Sequence, residues 1–210
     1  MLVFDFFAGT GSSTQAFEDA GHQVIKFELD SQFEADELVD IMEITTASLL
    51  HHYGRPDFIW ASPPCTAFSV ASIGHHWTGG KGAYVPKTEA ATYNQLLVWK
   101  TRQLIEELEP TRGYLIENPR GVLRKLPPVQ DLPRQTVTYC QYGDDRMKPT
   151  DLWGVVPGWV PRVMCRNGEP CHEAAPRGAK TGTQGRRGAM LRSMVPYALG
   201  AEILEALEGR

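Results

Sequence analysis

Apolar and polar positions follow two rhythms over the first two thirds of this 210-residue chain. Short apolar-rich runs at Leu2–Phe7, Gln23–Leu29, Asp57–Trp60 and Gly113–Ile116 predict buried strands. Between them, Ser13–Ala20 and Asn94–Glu109 carry helical spacing, and Ser31–Val39 carries it weakly. Strands that alternate with helical stretches pair in parallel through crossover helices, so the pattern predicts an α/β, doubly wound sheet. Pro110 and Gly113 mark the end of the long helix, and Thr136–Tyr142 predicts a further strand. From Pro149 to Gly188 glycine, proline and arginine dominate and periodicity vanishes, as in a long loop or a small irregular subdomain. Helical pattern returns at Tyr197–Leu207, where Leu199, Ile203, Leu204 and Leu207 share one face that is expected to pack back onto the sheet.

With 42% hydrophobic and 22% charged residues, the chain reads as one globular core plus a small appendage. No apolar run is long enough to span a membrane. The N-terminus lacks a basic stretch leading into an apolar one, so no secretory signal is expected. Cys65, Cys140, Cys165 and Cys171 form no paired framework, which suits a reduced, cytoplasmic setting. The formal net charge is −4, yet between Arg146 and Arg192 nine Lys/Arg face three Asp/Glu. An acidic body with a basic C-terminal surface follows, which suits a nucleic-acid partner or a merely solvated loop.

Four segments carry candidate chemistry. In Asp5-Phe6-Phe7-Ala8-Gly9-Thr10-Gly11 a strand ends in a tight glycine turn before a hydroxyl-capped helix. Gly9 and Gly11 let a ligand approach the backbone, although the third glycine of a dinucleotide fingerprint is missing. Glu28, at the tip of the next strand, stands where an open α/β sheet binds ribose hydroxyls, and Asp40 with Ile41 stands where an adenine edge would lie. In Ala61-Ser-Pro-Pro-Cys-Thr-Ala-Phe-Ser69 two prolines stiffen a turn and fix the direction of the Cys65 thiol. A thiol so placed is either a nucleophile or a small buried hydrophobe. In Ile116-Glu117-Asn118-Pro119-Arg120 a glutamate at a strand end is either buried with a raised pKa, able to share a proton with a heterocycle, or a loop carboxylate paired with Arg120.

In this order the segments resemble the C5-cytosine DNA methyltransferases over residues 1 to about 150, and again near Arg192. The resemblance implies a Rossmann-like, S-adenosylmethionine-dependent methyltransferase fold with a minimal, irregular recognition insert. It gives cofactor contacts to Phe6, Ala8, Gly9, Gly11, Glu28, Asp40, Ile41 and Pro63. Cys65 would attack cytosine carbon-6, Glu117 would serve N3, Asn118 would orient the cysteine loop, and Arg146 would position the base or steady the adduct. Gln141-Tyr-Gly, Arg146 and Lys148 look like the family's later Gln-Arg-x-Arg element, with lysine in place of one arginine. Pro119 stands where valine is usual, the arginine-rich element before the recognition domain is not evident, and the last motif keeps only Met194-Val-Pro-Tyr197.

The expected partner is double-stranded DNA with the target base flipped out, and the chain is expected to act as a monomer in the cytoplasm of a bacterial or phage-infected cell. Residues 1–148 would form the catalytic and cofactor-binding domain, 149–191 a basic DNA-recognition insert, and 192–210 a helix returning to the first domain. Ser69, Lys81, Lys148, Arg177, Lys180, Gln184, Arg186 and Arg187 are the candidate DNA contacts. The loop Val70–Lys87, whose stretch Ile73–Lys87 is glycine-rich and basic-aromatic, is a candidate to close over a flipped base, with His75, His76 and Trp77 either meeting the strand or standing as plain loop residues. Cys140, Cys165, Cys171 and His172 have the donor types of a structural zinc site that would staple a core-poor insert, although the spacing also fits incidental thiols and a surface histidine. Methylation of tRNA, transfer of another alkyl group on the same fold, and a weakly catalytic DNA-binding subunit are the alternatives.

Overall fold

The computed structural model describes residues 1–80, 83–166, 168–173 and 188–209. A seven-stranded sheet organises them. In chain order the elements are β1 (Leu2–Phe6), α1 (Gln15–Asp19), β2 (Gln23–Glu28), β3 (Glu37–Leu38), α2 (Thr46–His52), β4 (Phe58–Ala61), α3 (Ile73–His76), β5 (Trp77–Gly80), β6 (Ala83–Pro86), α4 (Glu89–Leu108), β7 (Gly113–Pro119), β8 (Arg134–Thr138), β9 (Pro149–Val155), α5 (Ala189–Ser193) and α6 (Tyr197–Glu208). The sheet order is β3-β2-β1-β4-β7-β9-β8. The first five strands run parallel, and β9 lies antiparallel between β7 and β8.

Both faces are covered, which explains the unbroken apolar runs. Along β1, Phe4 and Phe6 pack into the cluster that includes Leu97, Val98, Leu104 and Ile105 of α4. Val3, from the opposite face, joins Phe17 of α1 and Leu199, Ile203 and Leu204 of α6. The α6 stripe read from the sequence is this second core's lid. Gly200 makes the close fit possible, since a Cβ there would lie 2.9 Å from the Ser13 carbonyl oxygen.

Four expectations are corrected. Ser31–Val39 is turn followed by β3, not helix, because nearby carboxylates take backbone amides: Asp30 accepts from Gln32 N at 3.0 Å and Asp36 from Lys26 N at 2.8 Å. The strand expected over Thr136–Tyr142 stops at Thr138, and Tyr139–Tyr142 is a 3-10 turn closed by Gly143 at φ 87°. The segment Ile73–Lys87 is not plain loop, since it holds α3 and the β5–β6 hairpin, in register from Trp77↔Pro86 to Gly80↔Ala83. Most consequentially, the irregular stretch does not open at Pro149, because β9 is an inner strand of the main sheet. Its sequence hid this. Asp151 is a buried charge neutralised by Arg124, and Gly154 is demanded by a close approach, its Cβ position lying 2.2 Å from the Tyr114 carbonyl oxygen.

Candidate active site

Parallel pairing brings the carboxyl ends of β1, β2, β4 and β7 to one edge of the sheet. The chain winds outward from β1 through β2 and β3 in one direction, then from β4 to β7 in the other. Ligands bind at such a reversal, outside the carboxyl ends of the strands. Gly9 follows β1 and Cys65 follows β4, so the two sides of the reversal carry the glycine turn and the thiol.

The glycine turn is sharper than the sequence suggested. β1 ends at Phe6 because Phe7 takes a left-handed φ of 61°, followed by Gly9 at 52° and Gly11 at 69°. A bulky residue held there is a strained feature of the kind that gathers at ligand sites. Beneath it Asp5 is fully buried and accepts from Ser13 Oγ at 2.8 Å and Thr14 Oγ1 at 2.7 Å, which locks the start of α1. Burial pushes its carboxyl up to about 7, against the two hydroxyl donors that lower it. Ser12 Oγ accepts from Val195 N at 3.0 Å, so the Met194–Tyr197 segment rests against the same turn.

The cofactor candidates divide into those free to meet a ligand and those already occupied. Glu28 is preorganised: Oε2 accepts from Gly9 N at 2.9 Å, and Oε1 accepts from Leu29 N at 2.8 Å and Asp30 N at 3.0 Å. A carboxylate held this way beside an open glycine, where a Cβ would meet nothing within 4 Å, fits the diol of a ribose. Asp40 accepts from Met42 N at 2.9 Å and from Tyr93 Oη at 2.9 Å. The Phe6 ring and the Ile41 side chain are core, the Phe6 carbonyl accepts from Ser62 N at 3.0 Å, and Ala8 N donates to the Phe27 carbonyl at 3.2 Å. Pro63 is buried beneath the cysteine turn.

The cysteine turn is held at many points. Asn118 Nδ2 donates to the Pro63 carbonyl at 2.8 Å, and Asn94 Nδ2 donates to Thr66 Oγ1 at 3.2 Å. Phe68 N donates to the Cys65 carbonyl at 3.0 Å, and Trp77 Nε1 to the Ala67 carbonyl at 2.6 Å. The half-buried Ser69 spends its hydroxyl on Ser72 Oγ at 2.9 Å.

Cys65, Glu117 and Lys148 share one electrostatic environment. Burial pushes the Cys65 thiol up, the nearby Glu117 carboxyl pushes the same way, and Lys148 and Arg192 oppose it. Burial likewise raises Glu117, which is 5% exposed, against the charge of Lys148 and hydrogen bonds from Tyr139 and Ser62. Lys148, 6% exposed, is held below the usual lysine value by burial, while Glu117 and Cys65 work to keep its charge. Its ammonium lies 4.5 Å from the centroid of Tyr139, whose hydroxyl donates to Glu117 Oε1 at 2.9 Å. Lys148 also has a left-handed φ of 22°.

This placement alters two assignments. Lys148, expected at DNA phosphates, is buried beside the thiol and Glu117. Arg146, expected at the base, is committed elsewhere: its Nε donates to Asp144 Oδ1 at 2.6 Å and its Nη1 to the Leu191 carbonyl at 2.6 Å. The Asp144 carboxylate bonded to it holds the Arg146 guanidinium above its usual value. The sequence reading missed Tyr139, Ser62 and Arg192. Tyr139 stands in the strand run that was read, and only its contact with Glu117 reveals it. Lys81, Arg177, Lys180, Gln184, Arg186 and Arg187 lie outside the described residues.

The profile of the C-5 cytosine-specific DNA methylase family matches residues 1–126, which hold the glycine turn, the cysteine turn and Glu117-Asn118. This chain belongs to that family. A "Probable DNA (cytosine-5)-methyltransferase" of Frog virus 3 (isolate Goorha) is 29% identical over 223 residues, covering 98% of this chain and 99% of the relative. Among solved structures, a mutant Spodoptera frugiperda DNMT2 superposes with TM-score 0.50 at 14% identity over 80% of this chain. The Entamoeba histolytica methyltransferase EhMeth gives 0.52 at 11% over 80%. S. pombe Dnmt2 gives 0.51 at 12% over 78%. The chain spans 57%, 54% and 53% of those three proteins' lengths. The fold of this C-5 cytosine-specific DNA methylase family member is thus the Rossmann-like methyltransferase fold.

Behind the site, Cys140, Cys165, Cys171 and His172 bring one ligand atom each to within 4.8 Å of one another. The four residues are scattered in sequence and converge only because the 3-10 turn, the stretch after β9 and the turn at 171–172 meet.

Proposed function

We propose that the chain methylates cytosine at carbon-5 in DNA, using S-adenosylmethionine and a covalent adduct at Cys65. The observation that carries this reading is the grouping of Cys65, Glu117 and Lys148 at the switch point of the sheet, beside the Glu28–Gly9 cradle. S-adenosylmethionine, when bound, supplies an electrophilic methyl group. Glu28 and the backbone around Gly9 would hold its ribose, and the Asp40 carboxylate, held in place by the Met42 amide, would accept from an adenine amino group.

The residues of the chain supply the rest. Carbon-5 of cytosine is a poor nucleophile. The Cys65 thiolate forms a bond to carbon-6 and pushes an electron pair into the ring, which makes carbon-5 nucleophilic. Glu117, whose raised pKa lets it keep a proton, donates to N3 and so removes charge from the adduct. Lys148 stabilises the thiolate before attack and the Glu117 carboxylate after the proton has moved. Asn118 ties the strand end bearing Glu117 to the loop bearing Cys65. Once carbon-5 carries the methyl group, a base takes its remaining proton and the C5–H electron pair forms the C5–C6 double bond. The C6–S bond breaks to release Cys65 as thiolate, and N3 returns its proton to the Glu117 carboxylate. A stacked base cannot meet this site, so the cytosine is flipped out. Arg146, bound by Asp144, is read as a brace for the Leu191–Met194 segment rather than as a contact to the base.

The proposal includes duplex DNA as substrate, drawn from the basic stretch that holds Arg177, Lys180, Gln184, Arg186 and Arg187, together with Lys81. It also includes a structural zinc ion at Cys140, Cys165, Cys171 and His172, on the chemistry of that donor set. Bisulfite sequencing of DNA from cells expressing the chain tests the reading. Cytosines protected in a fixed sequence context are expected. No protected cytosine in DNA, with methylcytosine found only in RNA, would move the substrate to RNA.

A further inference from the structure

The Cys140–Cys165–Cys171–His172 cluster is joined to the catalytic centre through the backbone. Its geometry is close to what zinc requires. Cys171 Sγ lies 3.7 Å from Cys140 Sγ and 3.6 Å from His172 Nδ1. Cys165 Sγ lies 3.8 Å from His172 Nδ1 and 3.1 Å from Cys140 Sγ. Tetrahedral zinc with Zn–S bonds of about 2.3 Å and Zn–N bonds near 2.0 Å sets ligand atoms roughly 3.5–3.8 Å apart. Three of these four spacings already match, and the fourth is short. Three thiolates and an imidazole are a soft donor set, which selects zinc over hard cations. The four cysteines are free thiols, so no disulfide competes for the sulfurs.

The ligands are tied to the stretch of chain that carries Tyr139 and Lys148. Cys140 follows Tyr139, whose hydroxyl donates to Glu117 Oε1 at 2.9 Å. Tyr139 N donates to the Met147 carbonyl at 2.9 Å, and Met147 packs with the three cysteines immediately before Lys148. Cys165 N donates to Thr138 Oγ1 at 2.9 Å, and Glu173 N to the Asp145 carbonyl at 2.8 Å. The cluster therefore crosslinks the stretch 138–148, which carries Tyr139, Arg146 and Lys148, to the stretch 165–173. Among the described residues, Met147 is the apolar side chain that clusters with the cysteines, while the Tyr139 and Tyr142 side chains pack into the second core.

We infer that one zinc ion bound by Cys140, Cys165, Cys171 and His172 is a positioning element of the active site, holding Tyr139 and Lys148 against Glu117. This rests on the zinc and methyltransferase readings above and assigns the metal a role in catalysis beyond stapling the irregular segment. Residues that orient reactive groups from behind are costly to lose, typically about 10–100-fold in activity.

The test compares natively purified protein, the same protein stripped by chelation, the stripped protein reloaded with zinc, and Cys171→Ser. Metal analysis should find about one zinc per chain, lost in the stripped protein and in Cys171→Ser. Cobalt in place of zinc should give the strong visible bands of a tetrahedral thiolate site. Hydrogen exchange in 138–148 should accelerate about tenfold or more on stripping, with β1 and β2 unchanged. Adduct formation with 5-fluorocytosine DNA should slow about 10–100-fold and return on reloading, with S-adenosylmethionine affinity held. Absence of zinc together with absence of cobalt bands overturns the site. Zinc that can be removed without change in exchange at 138–148 or in adduct rate overturns the positioning role. A zinc-loaded protein with metal-dependent exchange that never forms an adduct supports the site and refutes the methyltransferase reading instead.

Discussion

Asn118 Nδ2 donates to the Pro63 carbonyl at 2.8 Å, across 55 residues of chain. The bond joins the end of β7, which bears Glu117, to the turn that bears Cys65. It makes the proton donor and the nucleophile parts of one rigid unit. Asn118→Ala removes it and leaves a buried carbonyl without a partner, which costs about 1–3 kcal/mol. Thermal denaturation should show that loss. Adduct formation should fall further than stability explains, with S-adenosylmethionine binding retained. Unchanged adduct kinetics would mean that the bond is structural only.

Gly121→Ala tests the same turn from another side. Gly121 is extended, so its backbone tolerates a side chain, but a Cβ would lie 2.1 Å from the Phe68 carbonyl oxygen. The carbonyl of Phe68 already accepts from Val122 N, and the amide of Phe68 donates to Cys65. The loop must therefore shift. A stability loss of about 1–3 kcal/mol and slowed Cys65 chemistry are expected from denaturation and adduct assays.

The charges around the thiol predict opposite pH shifts. Lys148 favours the thiolate, so Lys148→Gln should move the pH dependence of Cys65 alkylation to higher pH. Glu117 disfavours the thiolate, so Glu117→Gln should move it to lower pH. Lys148 sits below the usual lysine value, so its help fades as pH rises through that lowered value. Mass spectrometry of the Cys65 peptide after pulsed alkylation reads both shifts without interference from the other cysteines. Shifts of the same sign would show that Lys148 does not face the thiol.

Glu28→Ala should weaken S-adenosylmethionine binding by ~1.5–3 kcal/mol, the value of a charge-assisted hydrogen bond to a diol. The fold has little reason to suffer, since the three amides that Glu28 binds lie at the edge of the site. Calorimetry with equal affinities for both proteins would make Glu28 a bystander.

The parts of this molecule that were legible in its sequence are those in which local pattern and environment agree. Leu2–Phe7 and Asp57–Trp60 read as buried strands because both their faces are covered, and the α6 stripe reads as a helix because one face is. Glycine and proline punctuation located the turns after β1 and β4. What stayed hidden depends on contacts between distant segments. β9 contains proline, aspartate and glycine, and becomes a strand only because Arg124 neutralises Asp151 and Tyr114 closes on Gly154. Arg146 is bound by Asp144, two residues away, and Lys148 is buried beside Glu117, contacts that local sequence pattern does not carry. Tyr139 looks like any strand tyrosine until Glu117 is placed against it. The three cysteines and His172 were visible as donor types, but their convergence belongs to the tertiary fold.

Trapping on DNA that carries 5-fluorocytosine tests the central claim most directly. Fluorine on carbon-5 cannot leave as a proton does, so the Cys65 adduct cannot resolve after methyl transfer. In the presence of S-adenosylmethionine the wild-type chain should form a complex that survives a denaturing gel, with the modified peptide containing Cys65. Cys65→Ser, with Cys140, Cys165 and Cys171 intact, should form none while keeping S-adenosylmethionine affinity within about tenfold. An adduct formed by the Cys65→Ser protein, or one mapped to another cysteine, would contradict the account.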